Sequence, residues 1–226
     1  MGPNGCGKSS LLRTLSRGVM PQKGHALLDG RDVRHYKRRE LARRIAMLPQ
    51  IHGAPADMDV RTLVGYGRHP YLKPGGRMSP ADREIVEQAL RDTHMDHLAD
   101  RSMSTLSGGE QQRAWIAMTI CQEPEILILD EPTTFLDVSH QMEILETVRQ
   151  LNIERGITVV MVLHDLNLAA RYSDALFAIK DGVIYRDGPP DEVMTQTFIY
   201  QIFGVESHIY RDEINGCPYF IPQSII

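Results

Sequence analysis

The feature that most constrains this chain is a glycine-rich loop near its start, "GPNGCGKS", which fits the pattern G-x-x-x-x-G-K-[ST]. Glycines let backbone N–H groups point toward phosphate oxygens, the lysine adds a positive charge, and the serine hydroxyl can bind Mg²⁺. The helix after such a loop presents its positive end to the same anion. The pattern therefore predicts a phosphate-binding site made of Gly2, Pro3, Asn4, Gly5, Cys6, Gly7, Lys8, Ser9 and Ser10.

Composition narrows the class of protein. A chain of 226 residues suits one α/β domain, and a net charge of −4 with mixed signs gives no strong field for nucleic acid. The basic stretch from Arg34 to Arg44 fits a solvated helix face better than a phosphate-binding patch. Three widely spaced cysteines argue against a disulfide scaffold or a cysteine metal site. No apolar run is long enough to span a bilayer, so we expect a soluble chain.

Strands and helices alternate from Ser107 onward, which predicts an α/β fold with a mostly parallel sheet. A helix is expected from Gly109 to Cys121, followed by the strand "ILILDE", a further helix and the strand "ITVVMVLHD". Such uniformly apolar strands are usually covered on both faces. A hairpin should turn at Asp181 and Gly182, before a tail of short helical and strand segments.

A helical insert is expected before this region. Ser79 should cap a helix that has Pro80 in its first position and Asp82 in its first turn. The sequence therefore predicts a single domain over residues 1–226, with a helical subdomain at about 51–120 inserted in the α/β core.

Two acids end the buried strand "ILILDE". Asp130 and Glu131 stand at its carboxyl end, where open α/β sheets bind their ligands. Asp130 would hold Mg²⁺ through water, and Glu131 would polarise an attacking water molecule. The alternative is a core strand that happens to end in two surface acids, which the glycine-rich loop on the same chain disfavours.

A second helix start of the anion-binding kind lies at "TLSGGEQQR". Ser107 supplies a hydroxyl, and Gly108 and Gly109 supply two unobstructed backbone amides. One nucleoside triphosphate could use both phosphate-binding helix starts, each from a different subunit.

These motifs together resemble the ATP-binding cassette (ABC) family over essentially the whole chain. The Walker A loop "GPNGCGKSS" is followed by "LPQ", "LSGGE", "ILILDE", "FLD" and "VLHD" in the order typical of that family. A P-loop kinase or GTPase would not need "LSGGE". The resemblance implies a P-loop ATPase that uses ATP and Mg²⁺.

Site roles also follow from the resemblance. Lys8 and the loop amides would bind the phosphates, and Ser9 and Gln50 would ligate Mg²⁺. Gln50 would also sense the γ-phosphate. Asp130 would support the metal, and Glu131 would act as the general base.

Three further positions complete the site that the resemblance implies. His164 would contact the γ-phosphate, although a lone histidine at a strand end is more often structural. Ser107 and Gly109 would reach ATP held by a second copy of the chain in a head-to-tail dimer, with Asp137 at the dimer seam.

The segments "LVGYGRHPYL", "TTFLDVSHQMEILE" and "LHDLNLAARYSD" resemble ATPase subunits of importers for ferric siderophores, haem or cobalamin, the ferric-siderophore type above all. That resemblance implies membrane permease subunits as partners, a substrate-binding protein as an indirect one, and a peripheral place on the cytoplasmic face of the inner membrane. An ABC ATPase acting on DNA or ribosomes is the alternative. It would call for a coiled-coil arm, a second cassette or a basic tail, so no nucleic-acid partner is expected.

The start of the chain departs from the pattern of the family. The strand that enters the loop, the antiparallel strands before it and an aromatic that stacks on adenine are expected in the family, but only Met1 precedes Gly2. We therefore expect an N-terminally incomplete cassette, either a truncated gene product or a chain whose start is misassigned. Its nucleotide affinity and fold stability should be weaker than those of a full-length form.

Overall fold

The structure is a computed structural model that describes residues 1–51, 53–55 and 57–225. Its helices are α1 (Lys8–Leu15), α2 (Arg38–Arg44), α3 (Val60–Gly65), α4 (Pro80–Asp92), α5 (Gly108–Cys121), α6 (Val138–Arg155), α7 (Leu166–Tyr172), α8 (Pro190–Val193) and α9 (Gln196–Phe203). Its strands are β1 (Leu27–Leu28), β2 (Arg31–Asp32), β3 (Ile45–Leu48), β4 (Ile126–Asp130), β5 (Thr158–Val162), β6 (Leu176–Lys180), β7 (Val183–Gly188), β8 (Val205–Asp212) and β9 (Cys217–Ile225). Among the described residues, no helix has the length and apolar character needed to cross a membrane.

The chain divides into two compact units. The larger unit comprises Leu12–Met161, and the smaller one comprises Met1–Leu11 with Val162–Ile226. The predicted subdomain at about 51–120 stays a proposal. Positions 52, 56 and 226, which fall within the predicted domain, lie outside the described residues.

A buried sheet organises the larger unit. Strand β4 lies between β3 and β5, and β3 and β4 run parallel with Ile45 opposite Ile126 and Leu48 opposite Leu129. The middle of β4 is fully buried, with Leu127, Ile128 and Leu129 each at most 1% exposed. The expected parallel core is confirmed, and its two parallel strands end side by side.

Helices α3, α4 and α5 occupy the chain between β3 and β4, where helices were predicted. They share one apolar core with these strands, which includes Leu48, Leu63, Leu90, Ile116 and Leu129. The burial of these side chains is the main source of stability for the unit.

Two helix starts compare closely with their predictions. The Ser79 hydroxyl accepts a hydrogen bond from the Asp82 N–H (3.1 Å), and the Asp82 carboxylate accepts one from the Ser79 N–H (3.0 Å), as in a capping box. Helix α5 begins at Gly108 rather than at the predicted Gly109. The difference arises because Ser107 is the capping residue, so helical geometry starts directly after it.

The smaller unit contains two hairpins. Strands β6 and β7 pair antiparallel through a turn at Asp181 (φ 50°) and Gly182 (φ 78°), as predicted. On the other side of β6, the Met1 α-amino group donates to the Phe177 carbonyl (2.7 Å), and the Ile179 N–H donates to the Met1 carbonyl (2.8 Å). The predicted tail consists of α8, α9 and the hairpin β8–β9.

A buried arginine fastens the helical region of the larger unit. The Arg68 side chain is 5% exposed and donates to the Asp82 carboxylate (3.0 Å), the Glu123 carboxylate (2.7 Å) and the Cys121 carbonyl (2.9 Å). Its guanidinium also lies 3.9 Å from the centre of the Tyr71 ring. Hydrogen bonds from Ser79, together with Arg68, hold the pKa of the Asp82 carboxyl below its ordinary value.

Removing the Arg68 side chain should lower the stability of the fold. We expect Arg68→Ala to lower the free energy of unfolding by about 3 kcal/mol, because it leaves the Asp82 carboxylate, only 14% exposed, without its cation. The matched control is Arg61→Ala, because the Arg61 side chain is 39% exposed and pairs with Glu87 and Asp100 near the surface. That variant should lose less than about 1 kcal/mol. Urea unfolding followed by circular dichroism measures both, and equal losses would contradict the buried role of Arg68.

Candidate functional site

The glycine-rich loop wraps around its own lysine. The Lys8 side chain is 7% exposed, and its ammonium donates to the Gly2 and Pro3 carbonyls, both at 2.9 Å. Helix α1 begins at Lys8, so the loop residues before it stand at a helix N-terminus. Ser9 and Ser10 lie in the first turn. An anion at this helix start would compete with two carbonyl oxygens for the same ammonium.

Gly2 is required by a close backbone approach. A Cβ atom at this position would lie 2.0 Å from the Ile179 carbonyl oxygen, and its φ of 144° is rarely adopted by residues with a side chain. Gly5 (φ 77°) and Gly7 (φ 101°) also have positive φ, but an added Cβ would meet no atom within 4 Å there. The loop thus needs glycine for conformation at all three positions and for space at Gly2.

Gln50 and Glu131 meet where the parallel strands end. The Gln50 side-chain nitrogen donates to the Glu131 carboxylate at 2.5 Å, and the Thr134 hydroxyl donates to the same oxygen at 3.1 Å. Glu131 has a φ of 56°, a left-handed conformation that costs a residue with a side chain about 1–2 kcal/mol. Asp130, one residue earlier, is 2% exposed. Two of the predicted catalytic side chains are therefore in direct contact.

The serine of "LSGGE" caps α5. Its hydroxyl accepts from the Glu110 N–H (3.3 Å), while the Glu110 carboxylate accepts from the Ser107 N–H (2.7 Å). Hydrogen bonds from Ser107 hold the pKa of the Glu110 carboxyl below its ordinary value. This capping box fixes the first turn, in which Gly108 and Gly109 lie.

Asp137 caps α6 through one carboxylate oxygen. Asp137 Oδ1 accepts from the His140 N–H (3.0 Å), the Ser139 hydroxyl (2.9 Å) and His140 Nδ1 (2.7 Å). Together these hydrogen bonds lower the pKa of the Asp137 carboxyl to about 2, and the bond from the His140 backbone N–H has the largest effect. The carboxylate is therefore charged at neutral pH, and its side chain, 66% exposed, is also accessible to solvent. Phe135, nearby in the same segment, is fully exposed.

His164 lies in the smaller unit, between β5 and α7. With residues of α9 and β9 it lines a cavity of about 590 Å³. Asp165 caps α7 by accepting from the Asn167 and Leu168 N–H groups (2.8 and 2.9 Å). The Asn167 side chain pairs with both backbone groups of Phe220, accepting at 2.9 Å and donating at 3.3 Å.

The predicted site residues are thus distributed over both units. Within the larger unit, Gln50 contacts Glu131, and the segment of Asp137 packs beside Gly108 and Gly109. The loop and His164 belong to the smaller unit, and the roles given to these residues stay predictions. Sequence reasoning missed His140, which touches Asp137, and Asn167. Nothing in their immediate sequence distinguishes them from ordinary polar helix residues.

Comparisons with known proteins give a consistent family assignment. The pattern of the family described as "ABC transporter" matches residues 1–134. The ferric enterobactin transport ATP-binding protein FepC of Escherichia coli (strain K12) is 48% identical over 222 residues, which covers 98% of this chain and 82% of that protein. The iron(3+)-hydroxamate import ATP-binding protein FhuC of Bacillus subtilis (strain 168) is 42% identical, covering 100% and 84%.

Solved structures agree with these relatives. A metal-chelate type ABC transporter in an inward-facing conformation superposes with a TM-score of 0.86 at 26% identity, covering 99% of this chain and 86% of that one. The ATP-binding cassette MJ0796, as a dimer in a post-hydrolysis state with ADP and phosphate, superposes with a TM-score of 0.71 at 30% identity, covering 84% and 83%. The expected P-loop fold of the ABC type is confirmed. The chain belongs to the ABC transporter family, and it is an ATP-binding cassette with the ATPase activity of that family.

Proposed function

We propose that this chain is the ATP-hydrolysing subunit of a membrane importer for iron(III)–siderophore complexes. The contact between Gln50 and Glu131 at the ends of two parallel strands is the observation that best supports hydrolysis. The cargo is inferred from relatives, since FepC is named for ferric enterobactin transport and FhuC for iron(3+)-hydroxamate import.

In this proposal the loop Gly2–Ser10 binds the phosphates of ATP. The Lys8 ammonium exchanges the Gly2 and Pro3 carbonyls for phosphate oxygens. Its charge stabilises the β- and γ-phosphates, and the N-terminus of α1 adds its partial positive charge. His164 contacts the γ-phosphate.

Mg²⁺ fits the donor atoms that three side chains offer. A serine hydroxyl (Ser9), an amide oxygen (Gln50) and a carboxylate (Asp130) are the oxygen ligands that Mg²⁺ prefers. The Gln50 nitrogen is engaged by Glu131, so the carbonyl oxygen of the same amide is the atom that would face a cation. When bound, the ion neutralises charge on the transferring phosphoryl group.

Glu131 acts as the general base in this proposal. It stands at the carboxyl end of β4, where a carboxylate can accept a proton from a water molecule that attacks the γ-phosphate. The hydrogen bonds from Gln50 and Thr134 orient the carboxylate before the water arrives.

A second copy of the chain completes each site. Ser107, Gly108 and Gly109 at the capped start of α5 reach the ATP of the other copy, with Asp137 at the seam between the copies. The dimer of MJ0796 supports this arrangement. We further propose that the dimer binds integral membrane permease subunits at the cytoplasmic face of the inner membrane, and serves a substrate-binding protein indirectly.

Replacing the proposed base tests hydrolysis directly. We expect Glu131→Gln to lower steady-state ATPase activity by at least about 100-fold, the range expected when a general base is removed. The matched control is Glu125→Gln, because Glu125 directly precedes β4, is 57% exposed and pairs with Arg44. The control should keep at least about half of the activity, because a surface ion pair contributes little. Near wild-type hydrolysis by Glu131→Gln would rule out Glu131 as the base.

Adding one methyl group to the loop tests the phosphate site. We expect Gly2→Ala to weaken binding of a fluorescent ATP analogue by at least about tenfold, since the new Cβ would collide with the Ile179 carbonyl and displace the loop. Gly5→Ala also replaces a glycine of positive φ but meets no atom within 4 Å. It should weaken binding less than Gly2→Ala does, and at most by the roughly 5- to 30-fold that corresponds to 1–2 kcal/mol of backbone strain alone. Equal affinities for the two variants would show that the phosphates bind elsewhere.

A further inference from the structure

A histidine that the proposed mechanism does not use lies against the start of α5. A Cβ atom built on Gly109 would be 2.4 Å from Cδ2 and 2.7 Å from Cγ of His140. The imidazole therefore lies directly over the Gly109 α-carbon, and any larger residue at position 109 would push the ring away.

The same imidazole holds Asp137. Nδ1 of His140 is 2.7 Å from Asp137 Oδ1, and the side chain of His140 is only 31% exposed. One ring thus contacts two segments that are about thirty residues apart in the sequence, the glycine pair that opens α5 and the acid that caps α6.

Two neighbouring contacts join the same two segments of the chain. Leu136 Cδ2 would lie 3.6 Å from a Cβ on Gly108, an ordinary van der Waals distance, and the Arg113 guanidinium pairs with the Glu143 carboxylate. These contacts attach α6 and the residues before it to α5. Of Leu136, His140 and Glu143, His140 also forms a hydrogen bond with the Asp137 carboxylate.

We propose that His140 is a positioning residue that holds the Gly109 backbone and the Asp137 carboxylate as one rigid surface for the ATP-bound face of a second copy. This inference rests on the proposed function, in which both groups meet that copy. If the two groups moved independently, each would have to be ordered when the dimer closes, and that ordering would weaken association. A ring fixed by packing on one side and by a hydrogen bond on the other removes this cost.

Three substitutions separate packing from hydrogen bonding. His140→Ala removes both contacts. His140→Phe keeps an aromatic ring over Gly109 but cannot donate to Asp137. His140→Asn keeps a planar group with an N–H donor near the position of Nδ1, and is the conservative variant. If His140 only filled space, phenylalanine could take its place without loss of dimerisation.

The test measures ATP-driven dimerisation in the Glu131→Gln background, in which ATP is not consumed. Analytical ultracentrifugation with ATP and Mg²⁺ gives the dissociation constant of the dimer, and a fluorescent ATP analogue at protein concentrations below that constant gives the affinity of the monomer. We expect His140→Ala and His140→Phe to weaken the dimer by at least about tenfold, with monomer affinity within about twofold, and His140→Asn to stay within about threefold. His97→Ala and His97→Phe, at an exposed histidine, should leave the dimer unchanged.

The outcomes distinguish this inference from the proposed function. If the Glu131→Gln parent does not dimerise with ATP, the proposed dimer mechanism fails. If the parent dimerises and His140→Phe dimerises equally well, the positioning role is overturned while the proposed function stands. Urea unfolding checks that each variant is folded. If His140→Ala is not, the comparison of His140→Phe with His140→Asn decides the question, since both keep a planar side chain at the site.

Discussion

Strands β3 and β4 run parallel with Leu48 opposite Leu129, and this register decides which side chains meet where the strands end. Two residues beyond each of these leucines stand Gln50 and Glu131, which are joined by a 2.5 Å hydrogen bond. A shift of one residue would move every side chain of a strand to the opposite face. The fully buried Leu127, Ile128 and Leu129 of β4 therefore fix the polar pair as well as the core. The chemistry proposed for Glu131 depends on this packing.

The capped starts of α5 and α6 are the second feature on which the proposed site depends. Ser107 and Asp137 each close the first turn of a helix with their own side chains, so the backbone of those turns is ordered before any ligand binds. Pre-ordered N–H groups at a helix start favour an anion, because no further conformational entropy is lost on binding. The His140 ring connects these two ordered helix starts, because it lies against Gly109 of α5 and contacts Asp137, which caps α6.

Features with local causes could be predicted from the sequence. The Ser79 cap, the turn at Asp181 and Gly182, and the glycine-rich loop each depend on residues within a few positions of one another, and each is found where it was expected. Helix α5 begins one residue before its predicted start, because Ser107 is the capping residue and Gly108 is therefore the first helical residue.

Contacts between distant segments could not be predicted in this way. Arg68 reaches Cys121 and Glu123, and Asn167 pairs with Phe220, yet nothing near these residues in the sequence indicates a partner more than fifty positions away. His140 reads as an ordinary residue in the first turn of a helix until its ring is seen over Gly109. The motifs predicted the residues of the site, whereas the contacts that hold these residues in place can be seen only in the structure.

An uptake measurement can show whether ATP hydrolysis by this chain drives the import of ferric siderophores, as we propose. The chain would be assembled with the permease that co-purifies with it, placed in vesicles with ATP on the side of this subunit, and supplied with ⁵⁵Fe-labelled ferric enterobactin or an iron(3+)-hydroxamate and a binding protein. We expect ⁵⁵Fe accumulation that requires hydrolysable ATP and is lost with Glu131→Gln. No ATP-dependent uptake of either complex, together with ATPase activity that DNA or ribosomes stimulate, would contradict it.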